Sequence, residues 1–299
     1  MKRRGLLALA ACAALAACGR QEHDGPTVAF LFADGQADRA AFAQVVKQRC
    51  PDCGVLYEDA EGDAGQQAQQ AADVLERGAD VVVVQPVEGE SAGRIVEAAH
   101  AKHVPVIGYD AAVRGARPDY AAGYDVANVG TLQAQALVDR LGDRPGRIVM
   151  LNGPATDANA RQYKLAAHAV LAENGRKVVR EYDSPDWSAA TAQREMADTI
   201  SRLGTDGFVG VYAADDDLAE GAIAAMKAAG MDPSTIPVTG QDATPSALQR
   251  IASGEQYMTV RRPANELAAK AAAWAAALAQ GQKPADRTAT IPVVPIAGR

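Results

Sequence analysis

The residues best suited to chemistry in this sequence are carboxylates, amides and one tryptophan, and they recur directly after short β-branched runs. Carboxylate and amide groups pair with hydroxyl groups, and a tryptophan ring packs against an apolar sugar face. If the runs are parallel strands, their carboxyl ends meet at one crevice, which predicts a site for a polyhydroxylated ligand. The residues in question are Asp34, Gln85, Asp110, Asn152, Asp157, Asn159, Trp187, Asp215, Asp216, Asp217, Gln241 and Asp242.

The elements that must position these residues alternate between strand and helix. Short runs such as Val28–Ala33 and Arg147–Leu151 predict strands, and the alanine-rich stretches between the runs predict helices. The run Val81–Val84 lacks polar alternation, which indicates a strand buried on both faces. Alternating strands and helices over 299 residues predict a doubly wound α/β fold.

The N-terminus reads as an export signal. A basic start is followed by a short apolar run and then by Leu15-Ala16-Ala17-Cys18-Gly19. This segment resembles the bacterial lipobox, so residues 1–17 are expected to be removed and Cys18 to be lipidated. Residues 18–26 would form a tether, leaving the protein anchored to the membrane and facing the periplasm or cell exterior. The alternative is a plain signal peptide with an incidental cysteine.

Two further cysteines, Cys50 and Cys53, are separated by Pro51 and Asp52. In an exported protein this spacing favours a structural disulfide. The rival is a thioredoxin-type redox pair, but such a pair sits at a helix N-terminus and this one follows a predicted helix. A zinc site would need a second ligand pair, and the sequence offers none.

Composition excludes several classes of function. The net charge of −7 argues against nucleic-acid binding, which requires a basic surface. Beyond the N-terminus no apolar run is long enough to predict a membrane span. The glycine-rich phosphate-binding motifs are missing, so no nucleotide is predicted, and we expect neither a cofactor nor a metal.

One motif favours an enzyme. Residues 89–93 match G-x-S-x-G, which would make Ser91 the nucleophile of a serine hydrolase. That mechanism needs a histidine late in the chain, and the last histidine is His168. We therefore expect Ser91 to cap the following helix, and we expect no catalytic residues.

Seven motifs in the mature chain carry a wider resemblance. From Val28 to about Gln282 the sequence resembles the bacterial periplasmic sugar-binding proteins of ribose/xylose type, with the xylose-binding branch nearest, which serve ABC importers. The segments that carry this resemblance are Arg77–Pro86, Val106–Asp110, Asp125–Gly130, Gln133–Val138, Gly221–Ile223, Thr239–Ala243 and Met258–Pro263.

The resemblance implies two α/β lobes joined by a three-strand hinge. It suggests a first lobe of residues 27–124 plus 242–261 and a second of residues 125–241 plus 262–299. The chain would cross between them near residues 124–125, 241–242 and 261–262, and the lobes would close on a ligand.

The resemblance also implies which side chains contact that ligand. Several positions depart from the pattern: Ala111 and Ala158 replace polar residues, Asp215 occupies an asparagine position, and Gly35-Gln36-Ala37 replace the basic residues usual after the first strand. These departures leave a sugar, a polyol or an amino sugar open. The implied contacts are Asp34, Asp110, Asn159, Trp187, Asp215, Asp242 and Arg262.

The expected function is capture of a monosaccharide for delivery to the permease of an ABC importer. The protein would act as a monomer, touch the membrane only through its lipid and bind no nucleic acid. A sensor that presents its ligand to a receptor or histidine kinase has the same sequence features, so the two roles stay open.

Overall fold

The structure is a computed structural model that describes residues 25–33 and 39–298. The signal segment, Cys18 and Asp34 lie outside the described residues, so the predictions made for them rest on sequence alone. Strands and helices alternate along the described chain as expected. None of the described helices combines the length and apolar character needed to cross a membrane.

The strands are β1 Thr27–Phe32, β2 Gly54–Asp59, β3 Val81–Val84, β4 Val106–Asp110, β5 Tyr120–Tyr124, β6 Arg147–Asn152, β7 Lys177–Asp183, β8 Gly210–Ala213, β9 Met258–Arg261, β10 Thr288–Ile291 and β11 Val294–Ala297. The helices are α1 Arg39–Arg49, α2 Ala64–Glu76, α3 Gly89–Ala101, α4 Val126–Leu141, α5 Ala158–Glu173, α6 Ala189–Leu203, α7 Asp216–Ala228, α8 Pro245–Ser253 and α9 Ala264–Ala279.

The first unit is a six-stranded sheet in the order β10-β5-β4-β3-β1-β2, in which every neighbouring pair is parallel. Strand β2 lies on one side of β1, and β3, β4, β5 and β10 lie on the other side. The strand order therefore reverses between β1 and β3, and the ends of these strands open a crevice. Helices α1 and α9 pack together on this sheet, and α2 packs with α3.

The second unit is built on parallel strands in the order β7-β6-β8. Residues 237–240 lie beside β8, where Val211 and Val238 form a parallel bridge. Hydrogen bonds from Tyr257 to Val238 and from Val260 to Gly240 then carry the sheet on to β9, which pairs with β11. Helices α4 to α7 surround these strands.

The chain passes between the two units three times: between β5 and α4, between β9 and α9, and between β10 and β11. The doubly wound α/β fold predicted from the sequence is thus confirmed. The crossing between β5 and α4 lies at residues 124–126, and the one between β9 and α9 lies at residues 261–264. The crossing expected near residues 241–242 is wrong, because both sides of that segment pack on the second unit.

The assignment of the C-terminal segments to lobes is consequently reversed. Residues 242–261 were expected on the first lobe, but Met258 and Val260 pack with Val129 and Tyr163 of the second unit. Residues 262–299 were expected on the second lobe, but α9 buries its apolar face on the first sheet and β10 pairs with β5 there. Strand β11, by contrast, pairs with β9 of the second unit.

Cys50 and Cys53 form a disulfide, as the sequence predicted. The bridge lies between the end of α1 and the start of β2, where the backbone N–H of Cys53 also donates to the carbonyl of Cys50. It therefore closes a tight turn at the end of a helix, which is a structural role.

Candidate functional site

A cavity of about 310 Å³ lies where the strand ends of the two units face each other. Both units contribute walls, and the crossing segment after β9 contributes an arginine. Its lining residues are Ala33, Gln85, Pro86, Asp110, Ala111, Asp157, Asn159, Tyr163, Trp187, Asp215, Asp217, Gln241, Asp242 and Arg262.

Arg262 links carboxylates from the two units. Its Nε donates to Asp242 Oδ1 at 2.8 Å, and its Nη1 lies 3.3 Å from Asp110 Oδ1. The guanidinium also stands over the Tyr124 ring, 5.3 Å from the ring centre. Burial alone would lower the pKa of Arg262, but Asp242, Tyr163 and Asp110 outweigh it and hold the pKa well above its usual value. The arginine is therefore a fixed positive charge.

The two aspartates that meet Arg262 have unusual backbone conformations. Asp110, at the end of β4, has φ of +63°, and Asp242 has φ of +94°. Residues with a side chain rarely adopt positive φ, and such strain persists only where the surroundings enforce it. Here the strained backbone turns both carboxylates toward one guanidinium.

A buried glutamine braces the crevice on the first unit. Gln67 of α2 donates from Nε2 to the carbonyl oxygens of Phe32 and Gln85, at 3.3 and 2.7 Å. Its Oε1 accepts from Val87 N at 3.2 Å. Because these bonds tie the end of β1 to the loop after β3, Gln67 fixes the position of Gln85 and of Ala33, whose N–H donates to Gln85 Oε1.

A second buried glutamine does the same on the second unit. Gln133 of α4 donates from Nε2 to the carbonyls of Ala213 and Gly240, at 3.0 and 2.9 Å. These bonds join the end of β8 to the segment that leads into Gln241 and Asp242. Sequence reasoning included Gln133 in a family motif but did not recognise this role, and its apolar helical neighbours were the available signal.

The N-terminus of α5 forms one wall of the cavity. Asp157 caps this helix by accepting from the backbone N–H groups of Asn159 and Ala160, at 2.7 and 3.0 Å. Asn159 and Tyr163 are one helical turn apart, so both face the cavity. Burial is the main reason why the pKa of Tyr163 is raised, so its hydroxyl keeps its proton and can donate.

Trp187 also lines the cavity. It precedes Ser188, which caps α6 by accepting from Thr191 N. Its ring lies so close to Gly153 that a Cβ atom there would stand 2.0 Å from the indole. The ring is half-buried and packs on the core of the second unit, so it presents a fixed aromatic face to the cavity.

The α7 N-terminus supplies three consecutive carboxylates with different surroundings. Asp215 caps the helix by accepting from Leu218 N at 2.7 Å. Asp216 is held by Thr244 N and Gln256 Nε2, both at 2.9 Å, and so has a structural role. Asp217 is exposed to the cavity.

Burial raises the pKa of Asp215 well above its usual value. The N–H of Leu218 works against this shift, whereas the neighbouring charges of Asp242, Asp217 and Asp216 add to it. Burial likewise raises the pKa of Asp216 and Asp217. The carboxylates at this end of the cavity therefore repel one another.

Gln241 lines the same cavity and has an unsatisfied acceptor. The residue is 2% exposed, and its Oε1 is buried without a hydrogen-bond partner among the described residues. An unpaired buried polar atom is costly unless a ligand or water supplies the missing bond. Gln241 was noted from the sequence only as a residue at a strand end.

Six of the seven residues implied by the resemblance line this one cavity, and Asp34 lies outside the described residues. Their part in ligand binding stays a prediction. Gln85, Asp157 and Gln241 were seen at strand ends but not chosen. Tyr163 was missed, although its position one turn after Asn159 was a usable signal.

The chain matches the model of a known family, described as "Periplasmic binding protein domain", over residues 31–283. The chain belongs to the periplasmic binding protein family. Within this family it is 33% identical to the D-xylose-binding periplasmic protein of Escherichia coli over 258 residues, which cover 85% of this chain and 76% of that relative. It is 31% identical to the protein of the same name from Haemophilus influenzae, with coverage of 83% and 74%.

Solved structures agree with this assignment. The crystal structure of a periplasmic ribose ABC transporter from Conexibacter woesei superposes with a TM-score of 0.79 at 26% identity, covering 91% of this chain and 92% of that one. The cavity of this chain lies between its two α/β units.

The hydrolase alternative does not fit this periplasmic binding protein. Ser91 is buried on α3, and its hydroxyl lies 3.4 Å from the carbonyl oxygen of Ala64. Nor does it cap the helix, as the sequence suggested, because α3 begins two residues earlier at Gly89, after Glu88. Within the described residues, no group of three or more histidine, cysteine, aspartate or glutamate side chains is arranged to hold a metal ion.

Proposed function

We propose that this chain is an extracytoplasmic solute-binding protein that captures a monosaccharide-sized, polyhydroxylated molecule in the cleft and delivers it to an ABC importer. The observation that carries the proposal is the cavity between the two units, in which carboxylates, amides and Trp187 converge. The D-xylose-binding relatives support a xylose-like sugar or polyol as the ligand class.

The chemistry of the walls supports such a ligand. Asp110, Asp242 and Asn159 offer hydrogen bonds to hydroxyl groups, and charge-assisted bonds of this kind contribute about 1.5–3 kcal/mol each. Trp187 offers a flat apolar surface for the C–H face of a ring. A cavity of about 310 Å³ is at the small end of ligand sites, which suits a monosaccharide or polyol.

Capture is proposed to involve closure of two lobes. The packing supports a first lobe of residues 27–124 plus 262–291 and a second of residues 125–261 plus 292–298. Rotation about the three crossing segments would bring Asp110 and Asp157, which lie on opposite walls, onto one ligand.

Export and anchoring complete the proposal. Residues 1–17 act as the signal, Cys18 carries the lipid and residues 18–26 form the tether. The protein works as a monomer, contacts the membrane only through that anchor, and meets the permease of its importer at the membrane surface. Labelling with a radioactive fatty acid tests the anchor, because Cys18→Ser must abolish incorporation.

A thermal-shift screen of the purified full-length protein tests the ligand class. The panel contains neutral aldoses, polyols and amino sugars, with amino acids and short peptides as controls. A ligand present at about 100 times its Kd adds roughly 2.7 kcal/mol and raises Tm. The proposal predicts a shift with at least one carbohydrate; a shift with amino acids or peptides alone would overturn it.

A further inference from the structure

The charges lining the cavity do not balance. Five carboxylates, those of Asp110, Asp157, Asp215, Asp217 and Asp242, line it, whereas Arg262 is the only basic side chain among its described lining residues. A neutral ligand would leave this excess uncompensated when it displaces water from the cleft. Buried charges are stable only when they are paired or hydrogen-bonded.

The single guanidinium is already committed. Arg262 bonds to Asp242 and reaches Asp110, so it serves the part of the cavity near the crossing segment. The carboxylates of Asp157 and Asp215, at the N-termini of α5 and α7, take no part in these ion pairs with Arg262. Asp157 and Asp215 have backbone N–H partners, but they have no cationic partner among the described ion pairs.

The Asp217 side chain takes part in none of the described hydrogen bonds or ion pairs. The basic side chain that acts on it electrostatically is that of Arg250. That arginine is engaged, because it donates to Glu220 Oε2 at 2.6 Å, to Gln256 Oε1 at 3.0 Å and to the Asp216 carbonyl at 2.9 Å.

Gln241, which also lines the cavity, has a buried acceptor that lacks a donor. Its Oε1 has no hydrogen-bond partner among the described residues, and the residue is 2% exposed. The unpaired Gln241 acceptor is an observation independent of the number of carboxylates. It also indicates a ligand that supplies hydrogen-bond donors. An ammonium group brings three donors and no acceptor, whereas each hydroxyl group brings an acceptor with its single donor.

We infer that the cleft selects a polyhydroxylated ligand bearing a protonated amino group, which lies against the Asp215–Asp217 end of the cavity. This inference rests on the proposed function and narrows it from sugars and polyols in general to their aminated forms. An organic cation suits the site better than a metal ion, because no metal-holding cluster occurs in the described part of the chain.

Calorimetry on the purified full-length protein tests the inference with matched pairs of probes. The pairs are D-glucose with 2-amino-2-deoxy-D-glucose, and D-glucitol with 1-amino-1-deoxy-D-glucitol. N-acetylated 2-amino-2-deoxy-D-glucose controls for size without charge, and a chelator is present throughout. At pH 7 and low salt, an aminated member should bind about tenfold or more tightly than its parent. The advantage should shrink in about 0.5 M NaCl because salt screens charge.

The variant Asp217→Asn tests whether the affinity advantage of the aminated probes arises at the Asp215–Asp217 end of the cavity. Asp217→Asn removes a carboxylate that caps no helix, so it should reduce the affinity advantage of the amine over its neutral parent at least threefold. Asp206→Asn is the matched control, because it removes the same charge from an exposed position outside the cavity. It should leave both affinities unchanged.

The outcomes separate this inference from the proposed function. If neutral sugars or polyols bind and their aminated partners bind equally or more weakly, the inference is overturned and the proposed function stands. An amine advantage that survives both high salt and Asp217→Asn overturns it as well. If none of these compounds binds, the inference is overturned, and the thermal-shift panel decides the proposed function.

Discussion

Asp110 and Asp242 belong to different sheet units, yet both carboxylates are held by the side chain of Arg262, at 3.3 and 2.8 Å. Each aspartate has a positive φ. The crossing after β9 is therefore tied to both walls of the cleft through charge as well as through the backbone.

Replacing Arg262 with glutamine should weaken ligand binding and lower Tm. The change leaves Asp110 and Asp242 without their cation, and breaking a buried pair costs about 3–5 kcal/mol. Because Arg262 is partly exposed, a loss of about 1–3 kcal/mol is expected here. Chemical denaturation measures it. Arg261→Gln is the matched control, since its neighbouring side chain is exposed, and an equal loss in the control would contradict the prediction.

Replacing Trp187 with alanine should weaken binding by about 1–3 kcal/mol, from lost apolar area and stacking. Tryptophan fluorescence should change when ligand binds to the parent protein and should lose that response in the variant. Trp274 serves as the internal control, because it is buried on α9 beside Tyr120, away from the cavity. An unchanged Kd for Trp187→Ala would assign the ring to packing.

Replacing Asp215 with asparagine should stabilise the ligand-free protein near neutral pH. Burial raises the pKa of this carboxyl in the folded state, so stability falls as pH rises from the unfolded pKa of about 3.9 toward the raised folded value. Asparagine is also a good helix cap and carries no charge.

The stabilising effect of Asp215→Asn should therefore be present at pH 7.5 and vanish below about pH 4, when the carboxyl is protonated in both states. Each kcal/mol raises Tm by roughly 2–4 °C for a chain of this size. Melting curves across this pH range measure it, with Asp232→Asn, a fully exposed site, as the comparison. If Asp215→Asn stabilised the protein more at low pH than at pH 7.5, the raised pKa of Asp215 would be contradicted.

Replacing Gln133 with methionine should destabilise the second unit by about 1–3 kcal/mol, because the carbonyls of Ala213 and Gly240 lose their buried donor. Hydrogen exchange should speed up around β8 and residues 238–241. The same change at Gln135, which is exposed and whose side chain donates to Asp139, should have little effect. Comparable losses in the two variants would contradict the bracing role.

Removing the disulfide by changing Cys50 and Cys53 to alanine should cost only about 1–2 kcal/mol, since the closed loop is very short. Ligand affinity should be unchanged, because the bridge is remote from the cavity lining. Thiol labelling of denatured, unreduced protein gives a direct check. Two reactive thiols in addition to Cys18 would show that the bridge does not form.

The local elements could be predicted from the sequence because their signals are local. Val81–Val84 is buried along its whole length, as its composition indicated, and Asp63 and Asp157 cap helices as short polar residues do. The strands β10 and β11 were missed, since each is only four residues long and lies near prolines.

Long-range packing was not predictable in the same way. Helix α9 is rich in alanine on several faces, so its sequence does not say which sheet it covers, and its lobe was assigned wrongly. The position of the site could be predicted more easily from the sequence, because parallel sheets bring their strand ends together whichever lobe each strand belongs to. The positive φ values of Asp110 and Asp242 arise from tertiary context and have no sequence signal.

The passage of the chain from β10 to β11 has a practical consequence. Because β1 and β11 lie in different units, a fluorescent donor fused ahead of β1 and an acceptor fused after β11 are carried on separate bodies. Any rotation of one unit against the other changes the distance between the two dyes. Resonance energy transfer between the two dyes should therefore report rotation of the units, and neither dye is attached to a residue of the cleft.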